Sequence, residues 1–181
     1  MPSPYRELLG PEWDRLAAPL RDFHDVETVW EGKAVFRVTR GSGLLRNIVA
    51  WLGGLPPAGE SVPVTLRCTC EKSAVRTVEI WDRHFDGFRM RSMQWAEGGR
   101  LVEKFGWISL GYRLRVEPSL LRLEVTNAWF AGVPIPLWLA PTGEGLERAD
   151  PDGRLSIRAV AYAPFLGQIV CYEGILEGVN G

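Results

Sequence analysis

Long hydrophobic runs, metal-ligand spacings and an excess of either charge are all missing from this chain. No stretch of about 18 or more apolar residues occurs, which argues against a membrane-spanning helix. The start, Met-Pro-Ser-Pro-Tyr-Arg, lacks the basic residues and apolar core of a secretory signal, so a cytoplasmic protein is expected. Cysteine is scarce and odd in number. Cys68 and Cys70, within an alternating stretch, read as packing thiols on one strand face, with Cys171 a third free thiol; none has zinc-type spacing. Histidine is scarcer still. His24 follows an amphipathic helical stretch and reads as a helix-end or surface group, while alternation turns His84 toward solvent, away from Arg83 and Phe85. There is no Gly-x-Ser-x-Gly nucleophile elbow, and Gly41-Ser42-Gly43 lacks the third glycine and the preceding strand of a dinucleotide fingerprint. With 21 basic and 22 acidic residues, a net charge of −1 and a pI near 6.2, the chain lacks the basic surplus of a protein that grips nucleic acid. No cofactor or metal is expected, and a non-enzyme is favoured over an enzyme.

What is present is an ordinary globular composition, 46% hydrophobic and 24% charged, in 181 residues, from which one domain spanning the whole chain is expected. Ser3 before Pro4 has the form of an N-cap with proline in the first turn, and Pro11 restarts a helix after Gly10. Leu9, Trp13, Leu16, Leu20 and Phe23 make one apolar stripe over a helical segment of about 4–24, interrupted at Pro19. A second helix, about 43–53, is marked by Leu44, Leu45, Ile48, Val49 and Leu52 and stopped by Gly53-Gly54 and Pro56-Pro57.

Nearly everything else alternates with the period of a half-buried strand. Val62, Val64, Leu66, Cys68 and Cys70 face one way; so do Leu110, Tyr112, Leu114 and Val116; then Leu121, Leu123, Val125, Asn127 and Trp129; then Leu155, Ile157, Ala159 and Ala161. Asp86-Gly87, Glu97-Gly98-Gly99, Pro118-Ser119 and Asp150-Pro151-Asp152-Gly153 separate these runs as hairpin turns. Roughly eight to ten strands follow, and their twist curls such a sheet. The expected fold is mainly β: a single antiparallel β-barrel, or a strongly curved half-barrel meander, with two or three short helices.

The candidate site comes from polar residues on apolar strand faces. Trp81, Arg83 and Phe85 share a face, as do Phe88, Met90 and Ser92, as do Leu101, Glu103, Phe105 and Trp107, and as do Val125, Asn127 and Trp129. Placing the apolar members inside carries Arg83, Ser92, Glu103 and Asn127 inside with them. Two accounts stay open. Arg83 and Glu103 form a structural pair, or the four polar groups line one end of a cavity walled by Trp81, Phe105, Trp107 and Trp129. Acid pairs such as Glu71 with Glu79, or Glu144 with Glu147, read as solvated strand and loop groups. Ala128 to Pro141 holds no charge and reads as a buried connection closing one end of the sheet, with a lid or membrane-interface contact as the functional alternative.

The segments Tyr5 to Gly10, Leu52 to Gly59, Glu79 to Phe85, Glu103 to Gly106, Gly132 to Leu137 with Leu139 to Pro141, and Val170 to Gly174 carry a resemblance to a bacterial family, the domain of unknown function DUF4166. That resemblance brings no assigned activity. Some members are joined to oxidoreductase-like Rossmann domains, which implies an accessory role beside such a partner. Taken together, these readings lead to an expected binder of a hydrophobic or lipid-like small molecule in a barrel interior. The alternative is a protein-interaction or peripheral membrane-docking module without a cavity.

Overall fold

The computed structural model describes residues 2–179. The chain opens with helix α1 (Pro4–Leu9), a 3-10 segment (Gly10–Arg15) and helix α2 (Ala18–His24). Ser3 caps α1, its side chain accepting from the Arg6 N–H. The interruption falls at Leu16 and Ala17, which are extended, so Pro19 sits in the first turn of α2, where its missing N–H costs nothing. Strand β1 (Val29–Arg40) leads to helix α3 (Leu44–Leu52), followed by β2 (Gly59–Lys72), β3 (Thr77–Phe85), β4 (Phe88–Glu97), β5 (Arg100–Phe105) and β6 (Ile108–Glu117). Then come β7 (Leu120–Phe130), the two-residue β8 (Val133–Pro134), β9 (Thr142–Ala149), β10 (Leu155–Ala163) and β11 (Gly167–Val179).

Neighbour pairs run β6-β5-β4-β3-β2-β1-β11-β10-β9-β7, all antiparallel, and β7 pairs back onto β6. The result is a closed antiparallel barrel of ten strands, with β8 a short appendage on β7. Closure answers the edge problem of a long twisted sheet, because every wall strand has two partners. The expected turns all form. Asp86 and Gly87, for example, both take positive φ, as a two-residue hairpin between β3 and β4 requires.

Alternation sets the interior. In β2 the side chains of Val62, Val64, Leu66 and Cys68 are buried while Ser61, Pro63, Thr65 and Arg67 are exposed. Outside, the wall carries ion pairs such as Arg37–Glu60, Arg67–Glu31, Arg115–Glu124 and Arg158–Glu173, the surface of a barrel wall that meets water. Phe36 lies so close over Gly174 that a Cβ there would sit 1.8 Å from its ring, so only glycine fits opposite it.

The two rims differ. Tyr5, Leu9, Trp13, Leu16, Leu20 and Phe23, the stripe foreseen in the N-terminal segment, are all buried and belong to the same hydrophobic cluster as the strands. This segment plugs the rim where β1 begins and β9 ends, with Phe23 against Trp30 and Trp81 and His24 bonded to Glu147. The other rim gathers α3, the β5–β6 and β10–β11 turns and the connection from β7 to β9, as the pairs Val38–Gly59, Ile108–Phe130, Tyr162–Thr142 and Ala163–Gly167 require.

Candidate ligand cavity

A cavity of about 190 Å³ lies inside the barrel. It reaches from Tyr5, Phe23 and Glu147 beside the plug to Val49, Leu55 and Tyr162 at the opposite rim. Most of its wall is apolar, from Phe36, Leu66, Met90, Leu123, Ile157 and Val170 among others. β9 and β10 contribute Gly145, Ala159 and Ala161, and it is these missing side-chain volumes that leave the space.

Arg83, Ser92 and Glu103 meet here through consecutive pairings of β3, β4 and β5. Trp81 stands opposite Ser92, and Gln94 opposite Glu103, which brings the three inward positions within reach of one another. The Arg83 guanidinium donates from Nη1 to Ser92 Oγ at 2.8 Å and from Nη2 to Glu103 Oε1 at 3.2 Å, and Ser92 Oγ donates to the same Oε1 at 2.6 Å. The side chains of Arg83 and Glu103 are 13% and 6% exposed. Burial works against the charge of Arg83, but the Glu103 carboxylate beside it raises its pKa overall. The guanidinium also lies 5.3 Å from the Trp81 ring centre. Two tyrosines extend the polar wall: burial, with Glu103 nearby, pushes the Tyr112 hydroxyl well up, and burial pushes Tyr172 up to about 12.

Of the eight expected site residues, Arg83, Glu103, Trp81 and Phe105 line this cavity, and Ser92 is buried behind it, bonded to two of them. Three others do not join them. Trp107 lies in the turn after β5 and is largely exposed, because β5 ends at Phe105 and the alternation stops there. Asn127 and Trp129 sit on the outer face. A bulge in β7 pairs Val125 with Tyr112 but Asn127 with Gly111, so one extra residue, Thr126, reverses the alternation. Trp129 and Asn127 then pack over the outward side of Gly111, and Ala128 takes the buried position instead.

Sequence reasoning also missed a second polar cluster at the plug. His24, expected at the surface, is fully buried, and its Nε2 lies 2.5 Å from Glu147 Oε2. It stacks on Tyr5 with ring centres 3.7 Å apart, and the Tyr5 hydroxyl donates to Gln94 Oε1 at 3.0 Å. Glu79, expected to be solvated, is fully buried; Trp81 Nε1 donates to its Oε2 at 3.1 Å, and its Oε1 has no protein partner. Burial raises the Glu79 carboxyl from the usual 4.5 to about 7. His24 Nδ1 and Thr77 Oγ1 are likewise buried without a protein partner. Only the period-two position of Glu79, two residues before Trp81 on an inward face, carried a signal for this cluster. His84 and Glu71, by contrast, are exposed as expected. Ala128 to Pro141 is not a buried connection: from 131 to 139 every residue but Ile135 is exposed, because the barrel is already closed by the β6–β7 pairing and leaves no sheet end to cover.

Nearly the whole chain, residues 16–176, matches the family model described as Domain of unknown function (DUF4166). The chain belongs to the DUF4166 family. No curated protein matches it. In this DUF4166 domain the Arg83–Ser92–Glu103 set, His24, Glu79 and Glu147 all fall inside the matched span, whereas Tyr5, which stacks on His24, precedes it. Among the described residues of the domain no group of three or more histidines, cysteines or acids is placed to hold a metal ion. Nor is any described helix long and apolar enough to cross a membrane.

Proposed function

We propose that this domain binds a hydrophobic small molecule that carries one neutral, hydrogen-bonding polar group, held inside the barrel. The observation that carries the reading is the cavity of about 190 Å³, walled mostly by apolar residues, with Arg83, Glu103, Tyr112 and Tyr172 among the polar groups that face it. Guanidinium has five N–H donors, of which Ser92 and Glu103 take two. The positive charge of Arg83 is already balanced by Glu103, and Glu147 adds a further acid to the wall. A ligand carboxylate or phosphate would add net negative charge to a buried site, so a carbonyl or hydroxyl suits it better. The volume is below the roughly 300–1,000 Å³ of sites for drug-sized molecules, so a compact ligand fits within and a longer chain extends toward the α3 rim. In the accessory role that the family resemblance implies, such a molecule would be presented to an oxidoreductase-like partner.

The test is organic extraction of freshly purified protein followed by mass spectrometry, together with titration by the neutral fluorophore N-phenyl-1-naphthylamine. Bound fluorophore that is lost in Ala161→Phe, which fills the cavity, supports the reading. A wild-type protein that yields no extractable molecule and does not enhance the fluorophore overturns it.

A further inference from the structure

Helix α3 is mounted with its bulky side outward. Its barrel side holds Arg46, Val49, Ala50 and Gly53: Ala50 is fully buried, Val49 and Gly53 line the cavity, and Arg46 donates to the backbone oxygens of Leu166 and Ser42. Leu44, Leu45, Ile48, Trp51 and Leu52 are exposed, Trp51 at 78%. A helix stabilised only by its own domain would turn this stripe inward. Three further connections at the same rim repeat the feature, presenting Trp107, Leu137 with Trp138 at 67%, and Phe165 at 89%.

The charge pattern says what meets this rim. Residues 105–112, 125–143 and 159–172 carry no charged side chain at all. Residues 32–59 carry Lys33, Arg37, Arg40 and Arg46 and not one acid. The acids nearest this rim are answered or set aside: Glu60 is paired with Arg37, Glu144 near the start of β9 is paired with Arg122 and Arg158, and Asp86 is in the β3–β4 turn. Uncharged tips bearing tryptophan, backed by cations, match a bilayer interface with anionic headgroups, where indole rings and leucines settle at headgroup depth and arginines remain in water. The same rim is where the cavity ends, between Val49, Leu55 and Tyr162.

We infer that the α3 rim docks on the surface of an anionic lipid bilayer, inserting Trp51, Trp107, Trp138 and Phe165 while the ion-paired wall stays in water. Docking needs only the rim, so it stands apart from what the cavity holds. The test is flotation of the full chain with phosphatidylcholine vesicles, with and without phosphatidylglycerol. Wild type floats with the phosphatidylglycerol vesicles and is partly released by salt. In Trp51→Glu combined with Trp138→Glu the bound fraction falls at least about tenfold, because two inserted rings are replaced by charges that anionic lipid repels. Melting is unchanged in that variant, since both side chains are exposed. If that pair fails to fold, Leu137→Asp with Phe165→Asp poses the same question from two other connections. Three results overturn the inference: wild type that floats with neither vesicle, folded variants that float like wild type, or a wild-type dimer that the variants turn into monomers, which would assign the rim to a second copy.

Discussion

Replacing Arg83 with methionine removes the cation but leaves Glu103 buried, with the hydroxyls of Ser92 and Tyr112 beside it and no positive charge to balance it. An acid stranded in that way costs about 3–5 kcal/mol, a large part of the roughly 5–15 kcal/mol by which a domain is stable. Glu103→Leu strands the guanidinium instead. Its cost falls toward the lower end of that range, because Ser92 and the Trp81 ring still face the cation. The double variant Arg83→Met with Glu103→Leu removes both charges and both desolvation penalties, so its stability returns to within about 1–2 kcal/mol of wild type. Ser92→Ala, which deletes one donor and one acceptor of the set, costs about 1.5–3 kcal/mol. Urea unfolding followed by fluorescence, with the slope checked for constancy, gives all four values and the coupling between the charges. Single variants that each lose less than about 1 kcal/mol, with an additive double variant, would mean that the pair is solvated and the buried-cluster reasoning is wrong. The double variant also separates the two roles left open by the sequence: stable protein that no longer takes up N-phenyl-1-naphthylamine would mean that these groups touch ligand as well as each other.

Glu79 gives a pH signature. Its carboxyl titrates near 7 when folded and near 4.5 when unfolded, so between those values the unfolded chain releases a proton that the folded chain keeps. Stability therefore falls as pH rises from about 4.5 through about 7 and then levels, and the interval is worth about 3 kcal/mol. Glu79→Gln should gain about that much over wild type at pH 8 and almost nothing at pH 4; a pH-independent difference in urea midpoints would refute it. The thiols should divide: Cys68, fully buried, reacts with a thiol reagent only on unfolding, while the half-buried Cys70 and Cys171 react slowly in the native state because burial raises their pKa. Rapid native labelling of Cys68, or a disulfide between any two, would contradict this.

The barrel was legible because its signals are local and repeated. Turn residues stand between the alternating runs, and each run has one dry face, so a curved antiparallel sheet is nearly forced. Closure was one of the two outcomes expected, a barrel or a half-barrel, and what decides it is β7 leaving β8 aside to pair with both β6 and β9. Within unbroken strands alternation itself held, with Arg83 between Trp81 and Phe85 and Ser92 two residues past Met90 where it puts them, although the expectation of a solvated Glu79, two residues before Trp81, goes against it. It failed wherever the period was broken. Beyond Phe105 there is no strand to carry Trp107 inward, and beyond Thr126 the bulge turns Asn127 and Trp129 out.

The plug cluster escaped for a different reason. A histidine at the end of a short helix is normally answered by solvent or the helix terminus, and nothing within several residues of His24 says otherwise. Its partners arrive from β9 and from α1, and its buried neighbourhood includes Glu79 on β3, contacts that exist only once the N-terminal segment has folded into the rim. The same holds in reverse for α3. Its apolar periodicity marks a helix but not which side meets the barrel; that is decided by the Arg46 bonds to Leu166 and Ser42 and by the fit of Ala50, which leave the bulky stripe outside. Local pattern therefore locates amphipathic elements and inward charges inside an unbroken strand. The pairing of distant elements then decides whether a buried acid finds a base and whether an apolar face finds the core, and it is at those two places, the plug and the α3 rim, that local pattern does not say what each side chain meets.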